Sequence, residues 1–432
     1  MQPRHLVVIS VDGLAQPDLR VIRDLPHFRW ILEQGCSADR VEGIYPTQTY
    51  PLHATISTGT YPATHGILSN TRFQPGVEFP EWHWYTRDNR AQTLYELAHS
   101  AGYRVCCLLW PGAAGARVDF NLPEIKPTRK SYLLPSMVLC NGTPLFILNL
   151  LFRFAWLLRG LETGRLDRFT AASAAYVLKR KQPRLLMMHL LDLDRMRHHF
   201  GAGSREAQTA LRLMDDRLGT IMSAVKSEGM LDRTAFVVFG DHGHIDSRFR
   251  INANIALLRA GLLQTHGETR PVKRRFKRRV EWKVWIKACD GCAQVYLRDR
   301  ADRLSRKRLL EILSSLRENG GIAQIFDRDQ IGKLHLGDEI DYVLEAKPGY
   351  YFTNRLSGNI MEPTDDRHLS SHGYLPDREG YSPLFLAAGA GIRRGVEMSS
   401  IRMIDFAPTL AALLGLEMPA AEGRILREML EG

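Results

Sequence analysis

Apolar, strand-like runs that end in carboxylate or imidazole side chains constrain this fold more than any other feature of the sequence. Such side chains pack poorly at the tip of a buried strand, but they are well suited to bind a divalent metal. The runs are Leu6–Val11 before Asp12, Leu185–Leu191 before Asp194 and His198, and Thr234–Gly240 before Asp241 and His242. His372, beside a glycine, completes the set. These ligands predict two metal ions held by one fold.

Strand-like and helix-like runs alternate through most of the chain. This alternation predicts an α/β fold, with a mostly parallel sheet sandwiched by helices. Ligands in such sheets bind beyond the carboxyl ends of the strands, where the acidic residues above lie. The predicted helices are Leu25–Gln34, Ala91–Ala101, Phe169–Lys179, Arg205–Lys226, Leu304–Asn319 and Asp405–Leu414. The predicted strands are His5–Asp12, Arg104–Trp110, Leu185–Leu191, Ala235–Phe239, Ala293–Leu297, Tyr342–Ala346 and Leu384–Ala388.

Two stretches interrupt the alternation and predict insertions in a single α/β domain that spans residues 1–432. Residues 121–165 form an apolar segment, interpreted as an inserted lid, and residues 256–340 an inserted basic subdomain. The apolar core at 144–158 is too short for a transmembrane helix, which needs roughly 20 apolar residues. A helical lid or buried helix is therefore favoured, with an interfacial membrane helix as the alternative.

The chain is basic, with 58 Lys and Arg residues against 47 Asp and Glu and a net charge of +11. This balance suits an anionic substrate, an anionic membrane surface or nucleic acid. The strongest run, Arg270–Lys287, reads first as a solvated face, with a nucleic-acid or phospholipid contact as the alternative. No nucleic-acid-binding motif accompanies it, so nucleic acid is not expected as a partner. Peripheral membrane contact stays open.

The cysteines and the N-terminus favour a cytoplasmic location. The first residues run directly into a strand, and no secretory signal is visible in them. Cys106 and Cys107 are adjacent, so they cannot form an ordinary disulfide with each other. Cys289 and Cys292 have zinc or redox spacing but no second pair, and we interpret them as part of a turn.

Thr49 lies just before Tyr50-Pro51, in a proline-rich segment where a helix is expected to begin. The N-terminus of a helix offers backbone N–H groups and a positive dipole end to an anion. A threonine hydroxyl becomes a nucleophile only when a metal or base lowers its pKa. Without the metal ligands, an N-cap threonine would be the simpler interpretation.

Taken together, these motifs resemble the alkaline phosphatase superfamily, in particular its nucleotide pyrophosphatase/phosphodiesterase (type I phosphodiesterase) branch. They are also similar to phosphonoacetate hydrolase. The matching motifs are Val-Asp-Gly at 11–13, Pro-Thr-Gln-Thr-Tyr-Pro-Leu-His at 46–53, Thr-Gly-Thr-Tyr-Pro-Ala-Thr-His-Gly-Ile at 58–67, Asp194…His198…Gly201, Asp-His-Gly at 241–243 and His-Gly-Tyr at 372–374. They follow the family's order from end to end of the chain.

The resemblance implies a role for each matching residue. Thr49 would be the nucleophile, and Asn70 would bind a phosphoryl oxygen. One metal would be held by Asp12, Thr49, Asp241 and His242, and the second by Asp194, His198 and His372. His53 and His65 are taken as structural. The mixed histidine and aspartate ligands favour Zn²⁺, with Mn²⁺ or Fe as alternatives.

The implied function is a two-metal phosphoric ester hydrolase, a phosphodiesterase or nucleotide pyrophosphatase that works through a phospho-threonyl intermediate. Its substrate would be a small phosphorylated molecule, such as a nucleotide or another phosphodiester or phosphonate. The alternatives are a phosphonate (C–P) hydrolase and a catalytically silent membrane- or nucleic-acid-binding relative.

Three departures from the family pattern affect the site. Arg197 replaces a glycine, His199 follows His198 and is an alternative ligand, and Leu52 stands where asparagine is common. Trp82, Trp84 and Trp110 have two possible roles. They form either a stacking wall for a nucleobase or part of the core.

Overall fold

The structure is a computed structural model. It describes residues 3–77, 79–126, 134–159, 164–266, 271–272, 275–276, 279–365 and 367–431, with the backbone alone at 271–272, 275–276, 279 and 319. Residues 127–133 and 160–163 of the predicted lid, and much of the basic run, lie outside these ranges.

The described strands are β1 (His5–Val11), β2 (Gly35–Ala38), β3 (Val41–Glu42), β4 (Val105–Leu108), β5 (Phe120–Leu122), β6 (Leu185–Leu190), β7 (Thr234–Phe239), β8 (Ile245–Asp246), β9 (Phe249–Ile251), β10 (Leu263–His266), β11 (Pro271–Val272), β12 (Arg275–Phe276), β13 (Arg279–Trp282), β14 (Val284–Cys289), β15 (Cys292–Leu297), β16 (Ile322–Phe326), β17 (Tyr342–Ala346), β18 (Tyr350–Phe352), β19 (Met361–Pro363), β20 (Ser370–Ser371), β21 (Phe385–Gly389), β22 (Val396–Met398) and β23 (Ile401–Arg402).

The described helices are α1 (Leu19–Ile22), α2 (Pro26–Gln34), α3 (Thr49–Thr58), α4 (Pro62–His65), α5 (Leu94–Ser100), α6 (Leu134–Cys140), α7 (Pro144–Phe154), α8 (Arg165–Arg180), α9 (Asp192–Phe200), α10 (Arg205–Ser227), α11 (Ala253–Arg259), α12 (Arg303–Asn319), α13 (Arg328–Lys333) and α14 (Phe406–Leu414).

An eight-stranded sheet forms the centre of the fold, in the order β22-β2-β21-β7-β1-β6-β4-β5. Strand β1 pairs in parallel with both β6 and β7, and β4 pairs in parallel with β5 and β6. Strand β21 runs antiparallel to β7 and β2. The predicted mostly parallel sheet is therefore confirmed, and its carboxyl edge is formed by adjacent strands at the centre.

Helices cover both faces of this sheet, because each central strand is apolar on both sides. On β1, Val7 and Ile9 face a core cluster that includes residues of α2, α8 and α10. Leu6 and Val8 face the opposite cluster, which includes residues of α3, α5 and α14. All four side chains are fully buried, and burial of each contributes about 1.5–3 kcal/mol.

Each predicted helix and strand named above has a counterpart, with ends that differ by a few residues. Helix α5 shows why the ends differ. It begins at Leu94 rather than Ala91, because the Thr93 side chain caps it by accepting a hydrogen bond from the Glu96 N–H.

A second, antiparallel sheet in the order β14-β15-β17-β16 packs against α12 beside the central domain. It contains Tyr342–Ala346, which lies past the predicted boundary at residue 340. The division into one domain with two insertions stays a prediction. The β14–β15 hairpin turns at Asp290 and Gly291, so Cys289 and Cys292 flank a tight turn and remain free thiols.

Helix α7 and the following 3₁₀ turn occupy the predicted apolar segment, and they are amphipathic. Phe146, Ile147 and Leu150 are buried, whereas Phe152 is 90% exposed and Trp156 59% exposed. The segment is therefore half-buried rather than a fully buried helix, and its action as a lid stays a prediction. No helix within the described ranges has the length and apolar content needed to span a bilayer.

Gly240 joins the central sheet to the residues beyond its carboxyl edge. A Cβ atom at this position would lie 1.7 Å from the carbonyl oxygen of Leu14, in the loop after β1. We expect Gly240→Ala to lower the free energy of unfolding by at least about 3 kcal/mol, because two backbone segments must move apart. The midpoint of urea unfolding, followed by tryptophan fluorescence, measures this effect.

Gly332→Ala is the matched control, since a Cβ atom there meets no heavy atom within 4 Å. It should unfold at the wild-type urea concentration or slightly above it. A wild-type midpoint for Gly240→Ala would show that this close backbone approach is wrong.

Candidate metal centre

Three carboxylates meet at the carboxyl edge of the central sheet. Asp12 follows β1, Asp241 follows β7, and Asp194 lies in the first turn of α9, directly after β6. Asp12 and Asp241 are almost fully buried. The backbone N–H of Gly13 donates to Asp241 Oδ1 over 3.0 Å, which ties the first two tips together. The topology of β7, β1 and β6 thus concentrates negative charge in one small volume.

The first group of ligands consists of Asp12, Asp241, His242 and Thr49. His242 Nε2 lies 3.3 Å from Asp12 Oδ1, 3.4 Å from Asp241 Oδ2 and 3.4 Å from Thr49 Oγ1. Both Asp12 carboxylate oxygens and Asp241 Oδ2 lack a hydrogen-bond partner among the described residues. The structure therefore brings together the four residues predicted to hold one metal, and its orphaned oxygens fit a cation.

The second group is built around Asp194. His198 Nε2 lies 3.3 Å and His372 Nε2 3.9 Å from Asp194 Oδ1. The Nδ1–H of His198 donates to the Ser370 carbonyl over 2.7 Å, and that of His372 to the Thr47 carbonyl over 3.0 Å. Metal-binding histidines characteristically use one nitrogen in this way and present the other to the ion.

The two groups are neighbours. The imidazole rings of His242 and His372 stack with their centroids 3.8 Å apart. His242, His372 and Asp194 also present ligand atoms within 4.8 Å of one another. Such proximity is what a pair of metals acting on one phosphoryl group requires.

His198, and not its neighbour His199, faces this site. His199 is exposed, and its Nδ1–H donates to the carbonyl of Arg195 on its own helix. The four-residue spacing from Asp194 to His198 places both side chains on the same face of α9.

Electrostatics favours a cation beside Asp12, His242 and His372. Burial, together with repulsion from Asp194 and Asp241, raises the pKa of Asp12. Burial also holds the pKa values of His242 and His372 well below the usual range, so both imidazoles are neutral at pH 7. Clustered buried carboxylates beside neutral imidazoles form the donor set of a divalent metal.

Thr49 is the first residue of α3, and Gln48 is its N-cap. Asn70 approaches the same end of the helix, where its Oδ1 accepts a hydrogen bond from the Tyr50 N–H over 2.9 Å. The Asn70 N–H in turn donates to Gln48 Oε1 over 3.1 Å. The two residues predicted to act on the phosphoryl group thus lie at one helix N-terminus.

His53 and His65 are held inside the core by hydrogen bonds. His53 donates through Nδ1 to the Thr49 carbonyl over 2.7 Å and accepts from the Ser10 hydroxyl through Nε2. His65 Nδ1 accepts from the Ile67 N–H. These contacts suit the structural role predicted for both histidines.

Sequence reasoning missed His189 and Glu124, which extend the first ligand group. His189 Nε2 lies 3.4 Å from Asp12 Oδ2, and its Nδ1 lies 3.3 Å from Glu124 Oε2. Burial alone lowers the pKa of His189, but these two carboxylates raise it to about 10. A histidine inside the apolar run of β6 looks like a core residue in the sequence. Only its contacts with Asp12 and Glu124 in the structure reveal that it belongs to the site.

Three other residues at the site were also missed. His244 lies beside Asp194, Asp290 accepts a 2.7 Å hydrogen bond from Gln48 Nε2, and Lys126 stands over the Trp82 ring. His244 follows His242 by two residues, and Asp290 sits at a hairpin tip. The only signal in the sequence was that His244 follows the Asp-His-Gly motif and that Asp290 lies between Cys289 and Cys292.

Arg197, which replaces the family's glycine, is buried and structural. Its guanidinium donates to the Gly13 carbonyl and to the Asp18 carboxylate, so it ties α9 to the loop after β1. The substitution therefore preserves the position of α9 and leaves Asp194 and His198 in place.

The tryptophans divide between the two interpretations. Trp84 and Trp110 are buried in the core, and Trp110 Nε1 donates to Ser57 Oγ over 2.9 Å. Trp82 is half-buried, with its ring centroid 5.3 Å from that of Tyr50. Only Trp82 of these three lies where a substrate can reach it.

Comparison with known proteins places this site in a family. A family model described as type I phosphodiesterase / nucleotide pyrophosphatase matches residues 6–375. The ectonucleotide pyrophosphatase/phosphodiesterase C27A7.1 of Caenorhabditis elegans is 23% identical over 423 residues, which cover 95% of this chain and 43% of the relative. The ectonucleotide pyrophosphatase/phosphodiesterase family member 3 of Rattus norvegicus is 25% identical over 248 residues, 55% of this chain and 24% of the relative. The chain therefore spans less than half the length of these relatives.

Solved structures share the whole fold. Murine ectonucleotide pyrophosphatase/phosphodiesterase 5 superposes with a TM-score of 0.69 at 19% identity, covering 99% of this chain and 100% of the murine one. The human counterpart has a TM-score of 0.70 at 18% identity, with the same coverage. A further structure holds an inactive threonine-to-alanine variant of the murine protein in complex with AMP.

The structural likeness confirms the predicted alkaline-phosphatase-like fold, and the family match extends over both ligand groups and the Thr49 helix. This chain belongs to the type I phosphodiesterase/nucleotide pyrophosphatase family of the alkaline phosphatase superfamily.

Proposed function

We propose that this protein is a two-metal phosphodiesterase or nucleotide pyrophosphatase that acts through a phospho-threonyl intermediate on Thr49. The observation that carries the proposal is the position of Thr49. Its hydroxyl oxygen lies within 3.4 Å of His242 Nε2, at the N-terminus of α3 and against the first ligand group. The curated relatives are named as phosphodiesterases, and the murine relative is inactive as a threonine-to-alanine variant.

Both metal sites have a donor set that fits a divalent ion, with zinc preferred for mixed histidine and aspartate ligands. Asp12, Thr49, Asp241 and His242 would hold one ion. Asp194, His198 and His372 would hold the other. When bound, the ions lower the pKa of an attacking oxygen and stabilise the leaving oxygen of an in-line displacement.

Thr49 acts as the nucleophile of the first step. Its hydroxyl proton passes to solvent, and its Oγ forms a bond to phosphorus as the bond from phosphorus to the leaving alcohol or phosphate oxygen breaks. The leaving oxygen takes up a proton from solvent. In the second step a water molecule gives up one proton to solvent and attacks the same phosphorus. The bond to Thr49 Oγ breaks, Oγ takes up a proton, and the product leaves as a phosphomonoester.

Asn70 and the N-terminus of α3 stabilise the charge that develops on the phosphoryl group. The Asn70 amide oxygen accepts a hydrogen bond from the Tyr50 N–H, so the NH₂ group of the same amide would be the donor to a phosphoryl oxygen. Donors held in place before the reaction stabilise a transition state without the cost of reorganisation.

Lys126 and Trp82 form the rim on the substrate side, with the buried Tyr50 packed against Trp82. The Lys126 ammonium lies 4.2 Å from the centre of the Trp82 ring and 3.7 Å from Glu124 Oε1. Burial alone lowers the pKa of Lys126, but Glu124 and the carboxylates of the metal centre raise it, so the ammonium stays charged. This rim suits a small phosphodiester that carries an aromatic group, such as a nucleotide.

Replacement of the nucleophile gives the most direct test. We expect Thr49→Ala to lower kcat for a chromogenic nitrophenyl phosphodiester by at least about 1,000-fold, because no oxygen remains to attack phosphorus. Metal content and the unfolding midpoint should stay close to those of the wild type, because Asp12, Asp241 and His242 remain to hold the first ion. Acid quenching of the wild type during turnover, followed by peptide mass spectrometry, should find on Thr49 the phosphoryl group with its remaining ester group still attached.

Thr58→Ala is the matched control, because it removes a threonine hydroxyl from the other end of α3. There, Thr58 Oγ1 donates to the Ala54 carbonyl. It should retain nearly full activity. Normal turnover by Thr49→Ala would overturn the nucleophile assignment.

A substrate panel separates the proposed activity from its alternatives. With Zn²⁺ or Mn²⁺ added, we expect kcat/KM for phosphodiesters and dinucleotide pyrophosphates to exceed that for nitrophenyl phosphate. Release of acetate from phosphonoacetate at a higher kcat/KM would instead identify a C–P hydrolase. Failure to turn over any of these compounds, despite two bound metals, would favour a silent relative.

Adjacent histidines on α9 test the second metal site. We expect His198→Gln to weaken binding of the second zinc by at least about 10-fold, because its Nε2 faces Asp194, whereas His199→Gln should bind both ions normally. Zinc titration against a chromophoric chelator measures both. Weaker zinc binding in His199→Gln, with normal binding in His198→Gln, would identify His199 as the ligand.

A further inference from the structure

His244 makes a contact at the second ligand group that the predicted ligand set does not explain. Its side chain is fully buried, and Nε2 lies 2.9 Å from Asp194 Oδ1. This distance is shorter than those of His198 and His372 to the same oxygen, which are 3.3 and 3.9 Å. Three imidazole nitrogens therefore converge on one carboxylate oxygen.

The opposite nitrogen of each ring is fixed in the same manner. His244 Nδ1 lies 2.9 Å from Ser370 Oγ, and His198 Nδ1 donates to the carbonyl of that same serine. His372 Nδ1 donates to the Thr47 carbonyl. Each histidine thus has one nitrogen anchored to an oxygen and the other directed at Asp194, which is the arrangement of metal-binding histidines.

The backbone holds His244 in this position. Strand β8 begins at the next residue and pairs with β20. Because β20 carries Ser370, the pairing of these two short strands fixes both the His244 ring and the serine that anchors it. The loop after β1 leaves room for the ring, since a Cβ atom at Gly13 would lie 3.2 Å from His244 Nε2. Asp194, His198 and His244 present ligand atoms that all lie within 4.8 Å of one another.

We propose that His244 is a fourth protein ligand of the second metal, together with Asp194, His198 and His372. This inference rests on the proposed two-metal function and deepens it. The second site would then have three imidazoles and one carboxylate, whereas the first has one imidazole and two carboxylates. Nitrogen-rich sites favour zinc, cobalt or iron over magnesium and manganese. The second site should therefore be the tighter and more selective of the two for such ions.

The alternative is that His244 only donates a hydrogen bond to Asp194 and orients it. Cobalt distinguishes the two roles, because its visible absorption and its paramagnetically shifted imidazole N–H signals report which rings are bonded to the ion. The probe is Co²⁺ alone, added to the metal-free full chain until binding saturates.

We expect the wild type to bind two Co²⁺ ions and His244→Gln to show one shifted imidazole N–H signal fewer. Its second-site visible band should change, and a chelator should remove the second ion at least about 10-fold faster. His368→Gln is the matched control. The His368 ring stacks on His198 with centroids 4.8 Å apart, but its Nε2 lies 3.3 Å from Ser371 Oγ and not beside Asp194. It should keep the wild-type spectrum and release rate.

Ser370→Ala provides a second variant in case His244→Gln fails to fold. It removes the hydroxyl that anchors His244 but keeps the carbonyl that holds His198. We therefore expect the second-site visible band to change in the same direction as in His244→Gln, but by less. Wild-type spectra and release rates in both variants would overturn the ligand role. Fewer than two Co²⁺ ions in the wild type would instead overturn the two-metal function on which the inference rests.

Discussion

Repulsion among three clustered carboxylates, two of them almost fully buried, is the constraint on which the rest of the site depends. Asp12, Asp194 and Asp241 lie together because β1, β6 and β7 are parallel neighbours and end at the same edge. Bringing such charges out of water is costly unless opposite charge compensates them. The imidazoles of His242 and His372 are neutral and cannot supply that charge, whereas divalent ions can. We expect metal binding to contribute to the stability of the fold as well as to catalysis.

The antiparallel subdomain is part of the site's support. In the β14–β15 hairpin, the Gly291 N–H donates to the backbone carbonyl of His372, a proposed metal ligand, over 2.7 Å. Gln294 Nε2 donates to the Leu68 carbonyl over 2.7 Å, and the buried Lys287 ammonium contacts Ser69 Oγ. Those contacts hold the loop that carries Asn70. The segment predicted to be a basic insertion therefore also supports the loop of Asn70, the residue proposed to bind a phosphoryl oxygen.

The sequence predicted the positions at strand ends well, because such positions follow from two local patterns. An apolar run predicts a buried strand, and a polar residue at its end predicts the edge of the sheet, as Asp12 and Asp241 show. Contacts between distant segments were not predictable in this way. His189 lies inside an apolar run, and Glu124 reaches it from far along the chain; neither has a local signal. The antiparallel direction of β21 was missed for the same reason, since strand direction is decided by pairing. The cytoplasmic location stays a prediction.

The distribution of charge between the two ligand groups suggests how a phosphodiester is oriented. Two carboxylates lie with Thr49 in the first group, but only Asp194 lies in the second, which is otherwise made of imidazoles. With both ions bound in the proposed sites, the first group would be close to neutral, and the second would retain positive charge. An anionic phosphoryl oxygen would therefore be attracted more strongly towards Asp194 and its histidines, with the Lys126 ammonium near the rim. In the proposed mechanism, this asymmetry would turn the phosphorus towards the hydroxyl of Thr49.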